Sequence, residues 1–158
     1  MADAKQLVDL LTKGNITLGS VESFTGGLFG KTITDVAGAS KVYKGGIIAY
    51  GVEPKKELLG LSDAFIEKYG VVSPAVAERL AINGLKVLKV NACVSFTGNA
   101  GPSVCEDGTS VGETYMAIAY GGQVRSIPLR LDNMSREEVR KKSVDAIIDA
   151  LTSILTKR

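Results

Sequence analysis

The sequence predicts an α/β fold built on a mixed sheet, and three observations predict it. Short apolar runs, Ile16 to Val21, Gly45 to Tyr50 and Asn91 to Phe96, alternate with segments whose apolar residues recur at helical spacing. Two of the runs end in polar glycine turns, Ser23-Phe24-Thr25-Gly26-Gly27 and Thr97-Gly98-Asn99-Ala100-Gly101-Pro102. Late in the chain, Thr114 to Tyr120 and Gln123 to Leu131 flank Gly121-Gly122, a two-residue hairpin turn of the glycine-rich kind. An antiparallel pair therefore joins a sheet whose earlier strands are linked through helices.

In chain order, Ala4, Leu7, Val8 and Leu11 mark an amphipathic helix over residues 3 to 13, closed by Gly14-Asn15. The strand Ile16 to Val21 follows, then the first glycine turn. Leu28, Ile33 and Val36 fall on one side of a short helix ended by Gly38, and the small residues Gly26, Gly27 and Gly30 allow its first turn a close approach. After the second strand, Pro54 opens a helix from Glu53 to Leu59, which sets Lys55 on its first turn. Ser62 caps a helix carrying Phe65, Ile66 and Tyr69, with Gly70 as its stop. Ser73-Pro74 repeats the capping signal before a longer helix with Val76, Leu80, Ile82, Leu85 and Leu88 on its buried side, so Ser73 is read as structural. Residues 98 to 111 form a long aperiodic loop, of the kind that is usually functional or mobile. Ser135-Arg136-Glu137-Glu138 matches a capping box, and Val139, Val144, Ile147, Ile148, Leu151 and Leu155 stripe the last helix.

A chain of 158 residues buries a full core without staples, so one domain over residues 1–158 is expected. With 45% hydrophobic and 23% charged residues it has globular composition, and a net charge of +2 with dispersed basic residues argues against a nucleic-acid partner. No apolar run approaches membrane-spanning length. Two cysteines, Cys93 and Cys105, are too few for a disulfide framework, and the opening residues lack the apolar stretch of a signal peptide, so a cytoplasmic location is expected. The chain has no histidine. That removes Ser-His-Asp triads, Cys-His pairs and His-based metal sites together, leaving acid–base work to Lys, Tyr, Asp, Glu or Cys. Cys105, Glu106, Asp107 and Glu113 lie in a loop without metal-ligand spacing, so no metal is expected, and the glycine turns fit neither a P-loop nor a dinucleotide fingerprint.

Ser23 and Thr25 sit where a strand gives way to a helix, beside N–H groups that the helix leaves unpaired. One reading makes both of them helix caps. The other makes Ser23 a nucleophile, supported by the neighbouring carboxylate Glu22, the two glycines and the second polar turn. A serine nucleophile needs a neighbour to take its proton, and without histidine the candidates are a lysine held neutral by burial or a tyrosine. Lys55 and Tyr50, both at the exit of the second strand, are the best placed. Backbone N–H groups of Thr25 to Gly27, or of the Thr97 turn, would then stabilise an oxyanion.

Glu22-Ser23-x-Thr25-Gly26-Gly27, Gly45-Gly46 leading to Tyr50, Thr97-Gly98-x-Ala100-Gly101-Pro102 and Val111-Gly112, in this order, resemble the motifs of the CinA C-terminal domain family. Asp35 to Ser40, Gly70 to Ser73 and the late Arg136 and Arg140 extend the resemblance from about residue 4 into the last helix. It implies a three-layer α/β/α sandwich around a mixed, mostly parallel sheet with a late antiparallel hairpin. It also implies a nicotinamide-nucleotide amidase, converting nicotinamide mononucleotide to nicotinic acid mononucleotide and ammonia, without a cofactor, and a homo-oligomer. Carried over by position, Ser23 is the nucleophile and Tyr50 and Lys55 are its catalytic partners. Arg136 and Arg140 are phosphate partners, since a guanidinium grips oxygens bidentately. Glu22, Thr25, Gly26, Gly27, Thr97, Gly98 and Ala100 complete the substrate site. The sequence departs from the family pattern at Gly51-Val52, at Met134-Ser135 and at Gly108-Thr109-Ser110. Those departures motivate a second reading, a nucleotide-binding protein with the same pocket and weakened chemistry. A third, a DNA-processing partner, finds no basic stripe.

Overall fold

The computed structural model describes residues 2–157. Five strands form one sheet in the order β2-β1-β3-β4-β5, where β1 is Leu18–Glu22, β2 Tyr43–Ile48, β3 Ala92–Gly98, β4 Glu113–Tyr120 and β5 Gln123–Arg130. β1 pairs in parallel with β2 and β3, whereas β4 is antiparallel to both of its neighbours. All strands but β4 thus run one way, as expected of a mostly parallel sheet closed by a late hairpin. β1 is central to the parallel part, and all five of its residues are buried.

The helices are α1 (Ala4–Gly14), α2 (Leu28–Thr34), α3 (Val52–Glu57), α4 (Asp63–Tyr69), α5 (Pro74–Leu88) and α6 (Arg136–Thr156). Their ends follow from local chemistry. The Asp3 carboxylate accepts from Gln6 N at 2.8 Å to start α1, and Asn15 stops it in the left-handed region at φ 54°. Ser73 Oγ accepts from Val76 N to start α5, with Pro74 at the first helical position, which confirms the structural role of Ser73. The Ser135 capping box forms with both reciprocal bonds, Glu138 N to Ser135 Oγ at 3.1 Å and Ser135 N to Glu138 Oε1 at 3.0 Å.

The apolar stripes sort the helices into two layers. Leu7 and Leu11 of α1, Phe29 and Ile33 of α2 and Ile147 and Leu151 of α6 meet Leu18, Phe96 and Met116 on one face of the sheet, all fully buried. On the other face, Val76 and Leu80 of α5 pack on Val21 and Cys93, with Leu59 and Leu61 from the segment after α3. Each such fully buried side chain contributes roughly 1.5–3 kcal/mol relative to exposure. Gly84 allows α5 to lie this close: a Cβ there would sit 2.5 Å from Val21 Cγ2 and 2.8 Å from Cys93 Sγ.

Two boundaries differ from the sequence expectation in ways that matter for the site. β2 runs from Tyr43 and ends at Ile48, so Ala49 and Tyr50 lie beyond it; Ala49 N still donates to the Glu22 carbonyl of β1 at 2.8 Å, while the carbonyls of Ala49 and Tyr50 accept from Lys55. The helix after the first glycine turn ends at Thr34, and Val36 lies outside it, followed by a single 3-10 turn at Ala39–Lys41.

Candidate active site

β1 ends at Glu22, and Ser23 is the next residue. α3 begins one residue before the expected Glu53, so Lys55 stands at its fourth position. Side chains on a helix lean toward its N-terminus. Lys55 therefore reaches back over the exit of β2, and its Nζ lies 2.9 Å from Ser23 Oγ. Around the same nitrogen stand the carbonyl oxygens of Ala49 at 2.6 Å, Tyr50 at 3.1 Å and Gly51 at 3.4 Å. The segment after α3 fixes the helix in place: Leu59 and Leu61 are buried, and Asn83 Nδ2 of α5 donates to the Leu59 carbonyl at 2.7 Å.

Lys55 is only 1% exposed, and no carboxylate pairs with it among the described residues. Burial penalises its charged form and lowers its pKa from 10.5 to about 8. The geometry suits the neutral amine. Its two N–H bonds can point at the Ala49 and Tyr50 carbonyls, which leaves the nitrogen lone pair for the Ser23 hydroxyl. Once protonated, the same nitrogen donates back to Ser23 Oγ. The arrangement can therefore hold a proton on either side of the serine–lysine bond.

The first glycine turn is held from inside. Glu22 is buried, and its Oε1 accepts from Thr25 Oγ1 at 2.7 Å, Phe29 N at 2.9 Å and Gly27 N at 3.2 Å, while Oε2 accepts from Gly30 N at 3.0 Å. A carboxylate beneath the start of α2 satisfies N–H groups that the helix itself cannot. Glu22, expected to bind substrate, instead has both oxygens engaged in shaping the turn, and the Thr25 hydroxyl is engaged with it. Gly26 and Gly27 adopt φ 61° and 104°, which explains two consecutive glycines.

The expected oxyanion donors also shift. Gly26 N donates to the Ser23 carbonyl and Gly27 N to Glu22, while in the second turn Asn99 N donates to the Glu113 carbonyl and Gly101 N to Asn99 Oδ1. Among the described residues, the amides of Ser23, Phe24, Thr25 and Ala100 are those in the two turns that make no internal bond.

Ser23 opens into a cavity of about 250 Å³ whose lining includes Tyr50, Thr97, Gly98, Ala100 and Arg136, as expected. Tyr50, the other base candidate, meets the pair through its backbone, and its side chain points elsewhere. Its ring is 61% exposed, and its hydroxyl accepts from Arg136 Nη2 at 3.0 Å, whereas its backbone carbonyl meets Lys55. Arg136 Nη1 also donates to the Gly101 carbonyl, so the first residue of α6 ties the β2 exit to the second glycine turn. The Thr97 hydroxyl donates to the Val71 carbonyl at 2.9 Å and draws the segment before α5 into the wall. Thr25, Gly26, Gly27 and Arg140 line a separate cavity of about 680 Å³ between α2 and α6. The predicted set therefore divides in two, with Arg136 beside Ser23 and Arg140 in the second cavity.

Among the contributors to the Ser23 cavity that sequence reasoning missed are Asn99, Asp107 and Val71. Asn99 is buried, donates to the carbonyls of Ser103 and Thr109 at 2.9 and 3.1 Å, and accepts from Gly101 N, so it templates the loop that follows β3. Asp107 and Val71 also line the cavity. The signal for Asn99 and Asp107 was the long polar loop itself, whereas nothing local in the sequence joins Val71 to Ser23.

Fold and site together define a three-layer α/β protein with a buried serine–lysine pair at the end of its central parallel strand. The family model of the CinA C-terminal domain matches residues 2–155. The chain belongs to the CinA C-terminal domain family. The "CinA-like protein" of Flavobacterium psychrophilum is 36% identical over 148 residues, covering 94% of this chain and 34% of that protein. The chain thus spans about a third of the length of the first curated relatives it matches. The "Protein MG115 homolog" of Mycoplasma pneumoniae is 31% identical over 154 residues and is matched over 98% of both chains. Among solved structures, the competence/damage inducible protein CihA from Agrobacterium tumefaciens superposes with a TM-score of 0.91 at 28% identity, covering 97% of this chain and 93% of that one. Among the described residues, no helix is long and apolar enough to cross a membrane, and no group of three or more His, Cys, Asp or Glu residues could hold a metal.

Proposed function

We propose that the protein is an amidase that hydrolyses the carboxamide of nicotinamide mononucleotide to the acid, releasing ammonia. The observation that carries this reading is the buried Lys55 amine 2.9 Å from Ser23 Oγ, with its pKa lowered to about 8. Neutral Lys55 takes the Ser23 proton as Oγ attacks the carboxamide carbon, and the C–O bond forms as the carbonyl π bond becomes an oxyanion. The amides of Phe24, Thr25 and Ala100 are the candidates to receive that oxyanion. Collapse breaks the C–N bond, and Lys55 returns its proton to the departing nitrogen, giving ammonia and an acyl-serine. Water then attacks the ester with Lys55 again as base, which releases the carboxylic acid and restores Ser23.

Arg136 supports a nucleotide as the substrate. Among the described residues it is the one basic side chain in the cavity lining, and it sits at the first position of α6, where the helix dipole also favours an anion. The familial resemblance supports the same substrate. The departure at Gly51-Val52 leaves the pair assembled, since Gly51 contributes its backbone carbonyl and Val52 is an exposed residue at the start of α3.

The test is ammonia release from nicotinamide mononucleotide by the purified protein beside Ser23→Ala. Release that the substitution abolishes is the expected result. No release, with the nucleotide still raising the melting temperature, would replace the amidase by the binding-protein reading.

A further inference from the structure

We propose that Asp107 makes the Ser23 cavity selective for a substrate whose amide-bearing ring carries a fixed positive charge. The inference rests on the amidase reading above and adds to it the charge state of the ring. Among the described residues, the cavity lining holds one carboxylate, Asp107, and one basic side chain, Arg136. They come from different elements, the loop after β3 and the first turn of α6.

Both are held in place. Asp107 Oδ1 accepts from Thr109 N at 2.9 Å and from Thr109 Oγ1 at 2.6 Å. These bonds keep the carboxyl below the ordinary carboxylate range, so it is charged at neutral pH. Thr109 is itself buried, and its carbonyl accepts from Asn99 Nδ2, so the carboxylate is positioned through Asn99. Both Thr109 bonds fall on Oδ1, and Oδ2 has no hydrogen-bond partner among the described residues. Arg136 is fixed in turn by the Gly101 carbonyl and the Tyr50 hydroxyl.

An anion and a cation fixed at separate points of one cavity suit a zwitterion. A phosphate pairs with Arg136, and a ring cation gains from Asp107. Phe24, Val71, Val72 and Ala100 supply apolar wall for the ring itself. A substrate with the same amide, ribose and phosphate but an uncharged ring loses the Asp107 interaction and keeps the rest. Because Asp107 is exposed before substrate binds, the coupling is modest, about twofold to fivefold, and salt weakens it.

The experiment compares kcat/KM for nicotinamide mononucleotide and for its reduced dihydropyridine form in the wild type, Asp107→Asn and Asp107→Glu. The two rings differ in the reactivity of their amides, but that difference is common to all three proteins and cancels in the ratio of ratios. The oxidised-to-reduced preference should fall about twofold to fivefold in Asp107→Asn, survive in Asp107→Glu, and decline with ionic strength in the wild type. An unchanged preference in Asp107→Asn overturns the inference, as does an equal loss toward both substrates. If the wild type hydrolyses neither form, the amidase reading fails, and the same preference is then measured from dissociation constants, where an unchanged ratio again overturns the role of Asp107.

Discussion

Lys55 as the general base predicts a rate that follows its deprotonation. With a pKa of about 8, roughly a tenth of the protein carries the neutral amine at pH 7 and roughly nine-tenths at pH 9. kcat/KM for ammonia release should therefore rise about tenfold between pH 7 and pH 9 and level off above. The same group leaves a mark on stability. Its folded pKa lies below the unfolded value of 10.5, so between about pH 8 and 10.5 the unfolded chain binds a proton that the native protein has lost. The contribution of Lys55 to stability then increases with pH across that window, by about 3 kcal/mol in all. Lys55→Met should abolish turnover and remove this contribution. The assay is kcat/KM at constant ionic strength alongside denaturant unfolding at each pH, for both proteins. A flat rate profile from pH 7 to 9, or turnover in Lys55→Met, would refute the assignment. A rising profile without a difference in stability slope between the two proteins would mean that the titrating group is not Lys55.

Three further substitutions test the frame around the pair. Glu22→Gln replaces an acceptor oxygen with a donor facing backbone N–H groups, and urea unfolding should show a loss of about 2–3 kcal/mol. Gly84→Ala drives a Cβ into Val21 and Cys93 between α5 and the sheet, and should cost about 1–3 kcal/mol in the same measurement. Arg136→Met removes the cavity's cation and separates Tyr50 from Gly101; KM for the nucleotide should rise about tenfold, while the pH dependence of kcat/KM keeps its shape.

The fold was legible because its signals are local. Short apolar runs, helical stripes, Ser73-Pro74, the Ser135 capping box and Gly121-Gly122 each act within a few residues, and the structure has all of them in place. Ser23 with Lys55 or Tyr50 as its partner came from elimination: without histidine, few groups can deprotonate a serine, and the sequence alone does not choose between the two. The roles of Glu22 and Tyr50 were not legible, because each depends on where a side chain points after a strand ends. Glu22 belongs to the buried strand β1 and turns under α2, whereas Tyr50 lies beyond β2 and swings out to Arg136, 86 residues away in sequence. Arg136 and Arg140 looked equivalent for a related reason. One helical turn apart, they share a side of α6, yet the glycine turn between α2 and β1 separates the cavities they line.

The two halves of the pair are fixed to different degrees, and this follows from the sheet order. Ser23 follows the central strand, clasped by β2 and β3 and braced from below by four hydrogen bonds to Glu22. Lys55 rides on a six-residue helix, which is too short to be stable by its own backbone bonds. What holds α3 is the burial of Leu59 and Leu61 behind it and the Asn83 bond to the Leu59 carbonyl. The lysine adds little of its own, because burial works against its charge. A protein built only for stability would place an apolar side chain beneath Ala49 and Tyr50. Keeping an amine there makes sense if its loss of a proton near neutral pH is what the site uses, since the burial that costs stability is also what lowers its pKa.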